Sequence, residues 1–152
     1  MSAAVNLDLN DTRWSVRDKL GTEGKCAENT TGICPESYWS DLVVVTFYES
    51  LPINIHVPMR ISDSGEIKPS LYPGTLLGVR IGDDHAQLLK RWPSAKCEPD
   101  IAYKSLRECS LYWVDYGARP TTLWWDEDRH GRVVDMTLID GRYITYEKVY
   151  QR

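Results

Sequence analysis

Strict alternation of apolar and polar residues is clearest toward the end of the chain, where Val134, Met136 and Leu138 alternate with Asp135 and Thr137. A period of two sends the apolar set to one face of a strand and the polar set to the other. Breaks at Gly117, at a hairpin over 126–131 and at Asp140-Gly141 divide this region into four strands, 110–116, 121–126, 132–139 and 143–150. They read as an antiparallel meander with a helix on one face, Val134, Met136 and Leu138 pointing toward the helix. The same alternation separates the tryptophans of Leu123-Trp124-Trp125, so one of them must leave the helix-packed core.

The pattern upstream of this meander has a counterpart in the first half of the chain. Residues 7–20 lie over residues 79–92 without a gap, each reading as a short strand, a turn and a helix. A residue tolerant of positive φ, Asn10 or Gly82, precedes an Asp that can open a helix cap. Apolar positions then follow at helical spacing, Trp14, Val16 and Leu20 in one copy and Ala86, Leu88, Leu89 and Trp92 in the other. Next in each half comes a cysteine pair, then a strand with Tyr38-Trp39-Ser40-Asp41 or Tyr112-Trp113-Val114-Asp115. Further on, Pro52 and Pro120 each lead into a strand, and Gly65 and Gly131 each turn into another. The expectation is an α+β chain of two tandem helix-plus-antiparallel-sheet units, 1–74 and 75–152. Together they form one compact domain with a continuous or concave sheet and both helices on one face.

Composition changes this picture in one respect. Phe occurs once, at Phe47, against six Trp and nine Tyr, so nearly every ring carries a polar handle suited to interfaces. The net charge of −4 argues against a nucleic-acid partner, which needs clustered Lys and Arg. All of that excess sits in residues 1–76, with 10 acidic and 6 basic side chains against 12 of each in the remainder. No apolar run is long enough for a membrane span, and the first residues have neither the basic start nor the apolar segment of a signal peptide. The protein is therefore read as cytosolic or as a mature segment.

The four cysteines fall as Cys26 with Cys34 and Cys97 with Cys109. Neither pair has the tight spacing of a zinc site and no His lies near either in sequence, so no metal and no cofactor are expected. Two local disulfides are expected, stapling polar loops and placing the protein in the periplasm or outside the cell; four reduced cysteines in a cytoplasmic protein are the alternative.

Gly82-Asp83-Asp84 opening a helix with Ala86 and Leu89, the Cys97 and Cys109 pair, Leu123-Trp124-Trp125, and Gly131 before Val133 together resemble the β-lactamase-inhibitor-protein-like fold. That fold also occurs in outer-membrane assembly lipoproteins of the SmpA/OmlA kind. The resemblance covers 78–139 and extends through the internal repeat to 7–67, with Asn10 standing where a Gly is usual. It implies two units, each with its own disulfide, and a protein that binds another protein through its sheet face, often to block an enzyme. A bacterial immunity protein that neutralises a secreted toxin enzyme is the function it implies first. A periplasmic or outer-membrane assembly module is the alternative, and a small-molecule enzyme is a third reading.

Catalytic chemistry finds little purchase in the sequence. His85 beside Asp83 and Asp84 could be a carboxylate-oriented base, but an exposed first-turn residue among capping acids is the simpler reading. His130 in 126–131 belongs more simply to a charged hairpin tip than to a metal loop, and His56 to the polar face of a strand. No catalytic residue is assigned. The candidate partner-binding residues are Trp39, Asp41, Trp113, Asp115, Trp124, Asp126, Glu127, Asp128 and Asp135, a Trp/Asp-lined sheet face with its adjoining hairpin.

Overall fold

The structure is a computed structural model of the chain and describes residues 5–20, 25–26, 36–39, 42–48, 51–116 and 119–141. In chain order the elements are β1 (Asn6–Leu7), α1 (Arg13–Leu20), β2 (Lys25–Cys26), β3 (Glu36–Trp39), β4 (Val44–Tyr48), β5 (Leu51–Val57), β6 (Arg60–Ile61), β7 (Ile67–Lys68), β8 (Thr75–Leu76), β9 (Val79–Arg80), α2 (His85–Arg91), β10 (Lys96–Pro99), β11 (Arg107–Tyr116), β12 (Arg119–Glu127) and β13 (Val133–Asp140). Among the described residues strands predominate over two short helices, an α+β arrangement as the pattern predicts. No helix among the described residues is long and apolar enough to cross a membrane.

Eight strands form one antiparallel sheet in the order β10-β11-β12-β13-β5-β4-β3-β2. Two meanders therefore meet through their last strands, β5 and β13, in the register Val57 opposite Met136 and Ile55 opposite Leu138. Val43, Val45, Phe47, Ile55, Val57, Leu123, Trp125, Met136 and Leu138 all point to one face and join a single buried cluster, which Val16 of α1 and Leu88 of α2 complete. A small second sheet, β1-β8-β9, adds Leu7, Leu76 and Val79 to that cluster.

Each helix start has its own chemistry. At α1, the Thr12 N–H donates to Ser15 Oγ at 2.8 Å while the Ser15 N–H donates to Thr12 Oγ1 at 3.2 Å, a reciprocal cap. Asp11 accepts the Ser15 hydroxyl at 2.7 Å and also meets the Asp8 N–H and the Lys19 ammonium. At α2, Asp84 holds the cap position without a side-chain bond. The turn is fixed instead by the β12–β13 hairpin: Gly82 N–H donates to Val133 O, His85 N–H to Gly131 O, and Val133 N–H to Asp83 O. Gly82 needs its φ of 92° for this turn, whereas Asn10 is not among the residues at positive φ, so the expected equivalence of the two positions fails there.

Three further expectations change. Trp14, on the apolar stripe expected of α1, is 59% exposed, and Ala86 is also exposed, so a single residue of each helix is fully buried. Val134 does not join the helix-packed core. A bulge sets Asp126 opposite Asp135 but Glu127 opposite Val133, so Val133 enters the cluster while Val134, also buried, stands outside it with its carbonyl accepting the Ser70 N–H. The expected strand over 143–150 lies outside the described residues, as does the Cys26–Cys34 pair.

Because the two meanders touch along β5 and β13, truncating that seam should be costly. Leu138→Ala is expected to destabilise the fold by about 3 kcal/mol, as buried Leu-to-Ala changes do, measured as a shift in the denaturant midpoint at unchanged slope.

Candidate functional site

Strand β12 supplies both faces of the region where the predicted residues converge. Alternation sends Leu123, Trp125 and Glu127 inward and Thr122, Trp124 and Asp126 outward. Trp125 is buried beside Trp92, ring centroids 6.4 Å apart, with the Arg91 guanidinium 4.0 Å over the Trp92 ring. Trp124 lies on the other face, meeting Tyr112 edge-on at 6.4 Å and 83°. The separation of the two tryptophans is thus as the alternation predicts.

The inward side ends at Glu127, which is 0% exposed. A carboxylate with no water must be met by donors from the protein. Its Oε1 accepts Arg107 Nε at 3.1 Å and Nη2 at 2.8 Å; its Oε2 accepts Trp125 Nε1 at 2.8 Å and faces His85 Nδ1 at 2.8 Å. The disulfide Cys97–Cys109 is adjacent, with Cys109 Sγ 3.5 Å from Oε2. Glu127 therefore leaves the set of surface residues expected to face a partner. The run Asp126-Glu127-Asp128 reads as one hairpin tip, but strand geometry carries through Glu127 and turns it into the core. His85 is likewise no solvated first-turn residue. It pairs with a carboxylate 42 positions away and not with Asp83 or Asp84. Gly131 lets it in, since a Cβ there would stand 3.3 Å from that of His85.

The outward side carries an unusual row. Glu98 is opposite Glu108, Glu108 opposite Asp126, and Asp126 opposite Asp135, so four carboxyl groups run in register across β10, β11, β12 and β13. Like charges directly opposite one another destabilise a sheet. Part of the tension is met at Asp135, which accepts the Met59 N–H at 2.8 Å and faces His56 Nε2 at 3.2 Å. Part is met at Asp126, whose carboxyl is pushed up to about 9 by burial first, then by a hydrogen bond with Asp100 and by the negative charges of Asp135, Asp100 and Glu108. At neutral pH Asp126 is protonated. Asp100, Glu108 and Asp126 converge within 4.8 Å of one another on the floor of a cleft of about 520 Å³, with Pro99, Ile101, Ala102 and Tyr103 on its walls. Ile101 is 82% exposed, and Tyr103 and Tyr112 are partly so.

No protein-family model matches the chain, and no curated protein or solved structure is significantly similar to it.

Of the other expected residues, Asp128 shapes the hairpin, its Oδ1 accepting the N–H groups of His130 and Arg132. Asp41 and the side chains of Trp39, Trp113 and Asp115 lie outside the described residues. Glu98, Asp100, Ile101, Tyr103, Glu108 and Tyr112 are brought to the site by the structure. They escape sequence reasoning because only the strand register makes neighbours of acids 9 to 18 positions apart. Arg107, which reaches Glu127 across β11 and β12, is hidden in the same way.

Two outcomes follow. Glu127→Ala leaves Arg107 and the Trp125 N–H without their acceptor and is expected to cost about 3–5 kcal/mol, read as a fall in the denaturant midpoint. Asp126 has a folded-state value raised above its unfolded one, so its contribution is fully present below the unfolded value near 4 and is lost as pH rises toward 9. Asp126→Asn should therefore stabilise at pH 8, by about 1–3 kcal/mol, with little effect at pH 4. Thermal unfolding of both proteins at the two pH values checks this.

Proposed function

We propose that the chain is a protein-binding inhibitor built of two diverged helix-plus-sheet units, 1–74 and 75–152, and that it blocks an enzyme, in the first instance a toxin to which it confers immunity. Several features support the duplication. α1 and α2 begin 72 positions apart, the same offset at which Leu7 matches Val79 and Val16 matches Leu88, all four of them buried. The two meanders also pair last strand to last strand. The Cys97–Cys109 disulfide agrees with action outside the cytoplasm.

The observation that carries the binding role is the outward row Glu98, Glu108, Asp126 and Asp135 beside Tyr112, Trp124, Tyr103 and Ile101. Aligned carboxyl groups and exposed large side chains lower the stability of the isolated chain and gain value on meeting a partner with complementary basic side chains. The exposed part of the face runs over β10–β12, since Asn54, Thr122 and Ile139 near the centre of the sheet are buried. Asp135 would steer and orient the target, the neutral Asp126 would offer it a hydrogen bond, and Trp124 with Tyr112 would supply the buried aromatic contact.

The test is inhibition of, and complex formation with, the secreted enzymes encoded next to this gene. Trp124→Ala is expected to weaken the complex at least about tenfold, as loss of an aromatic anchor does, while Asp63→Asn on the exposed β6–β7 turn, outside the proposed face, leaves it unchanged. Absence of both complex and inhibition across those enzymes would refute the proposal.

A further inference from the structure

The buried cluster around Glu127 holds more donors than an ion pair needs. A ring nitrogen of His85, Cys97 Sγ, Cys109 Sγ and a Glu127 oxygen all lie within 4.8 Å of one another, and it is His85 Nδ1 that faces Glu127. We propose that this cluster has a second state, in which the reduced Cys97 and Cys109 join His85 and Glu127 to bind one zinc ion.

The donor set is one that zinc favours, two sulfurs, one imidazole nitrogen and one carboxylate oxygen, at bond lengths of about 2.0–2.3 Å. Neighbouring ligands of such a tetrahedron stand about 3.5 Å apart, inside the span the four atoms already occupy. The backbone needs little rearrangement. Cys97 and Cys109 are directly opposite on β10 and β11, so the ladder keeps both sulfurs on the inner face once the bond between them is broken. Two separations must widen: the sulfurs part once their bond is broken, and the 2.8 Å between His85 Nδ1 and Glu127 Oε2, where a proton now lies, opens to admit the cation.

The surroundings suit the ion. Arg107 holds Glu127 Oε1 through two N–H groups and leaves Oε2 directed at His85 and Cys109. Trp125 Nε1 fixes that oxygen at 2.8 Å. Donors of this kind orient a ligand and raise metal affinity. Zinc with two thiolates and one carboxylate carries one net negative charge, which the Arg107 guanidinium balances. Cys109 and Glu127 are fully buried while His85 and Cys97 are partly exposed, giving the ion a route from solvent on the α2 side.

The chemistry balances with a small dithiol as reductant. It delivers two electrons and two protons to the Cys97–Cys109 bond, giving two thiols and leaving as its own disulfide. Zinc then displaces both thiol protons to solvent, and His85 binds through Nδ1 with its proton on Nε2. The disulfide thus fastens β10 to β11 under oxidising conditions, and the metal would fasten those two strands to β12 and the start of α2 under reducing ones.

The full chain carrying Cys26→Ser and Cys34→Ser, so that no other thiols compete, would be reduced with dithiothreitol, desalted without oxygen and titrated with cobalt(II) as the spectroscopic probe. The expected result is one ion per chain, with thiolate-to-cobalt charge-transfer absorption and the intense visible bands of tetrahedral cobalt, displaced by one equivalent of zinc. The oxidised protein should show neither. His85→Gln should weaken cobalt binding at least about tenfold and Cys97→Ser, which leaves one thiolate, should lose about half or more of the charge-transfer absorption, with circular dichroism of the metal-loaded proteins reporting the fold. Absence of these bands in the reduced chain, or bands unchanged by both substitutions, would overturn the proposal.

Discussion

A carboxylate deprived of all contact with water sets terms for everything around it. Glu127 is satisfied only if Arg107 reaches across from β11, Trp125 folds its N–H back along β12, and His85 is delivered by the turn into α2. Removing a partner from such a group costs far more than the pair contributes relative to an apolar replacement. The value of the arrangement is thus specificity as much as stability. It admits one position of α2 against the sheet, because the turn at Gly82 and the hairpin at Gly131 must close on each other for His85 to arrive. The disulfide at Cys97 and Cys109 then fastens β10 to the same point.

The reverse face of the same strand is organised on opposite lines. Inside, one charge is surrounded by donors; outside, four carboxyl groups are lined up with Met59, His56 and a shared proton as their relief. A fold optimised for its own stability would alternate the charges across β10 to β13. The outer face therefore carries a cost to folding that the inner face does not. The rings beside the row point the same way, since Trp124 sits half-buried against Tyr112 when inward alternatives were open to a strand of this composition.

Much of this was legible in the order of residues, and the failures have physical causes. The alternation around Leu123 and Met136 was enough to identify β11, β12 and β13 and to divide Trp124 from Trp125, because a local period needs no knowledge of partners. The spacing of Cys97 and Cys109 was likewise enough for the disulfide, although it joins two paired strands where a loop staple was expected. Bulges defeated the reading at Val134, where one extra residue exchanges the faces. Glu127 was misplaced because three successive acids look like a solvated turn, and the donors that make burial tolerable come from positions 85 and 107. The acidic row was invisible for the same reason: Glu98, Glu108, Asp126 and Asp135 become neighbours only once four strands are in register.

The junction of β5 with β13 has a consequence for how the chain reaches this state. Residues 54–57 have no partner on that side until residues 136–139 exist and have formed their own hairpin with β12. During synthesis the edge of the first meander therefore stays open while some eighty further residues are added, and contacts of such long range slow the search for the native state. Ile55 and Val57 lie on that waiting edge. The interval between their emergence and the arrival of Leu138 is when the chain most needs protection from pairing with a neighbour, and it ends only when the second half delivers its final strand.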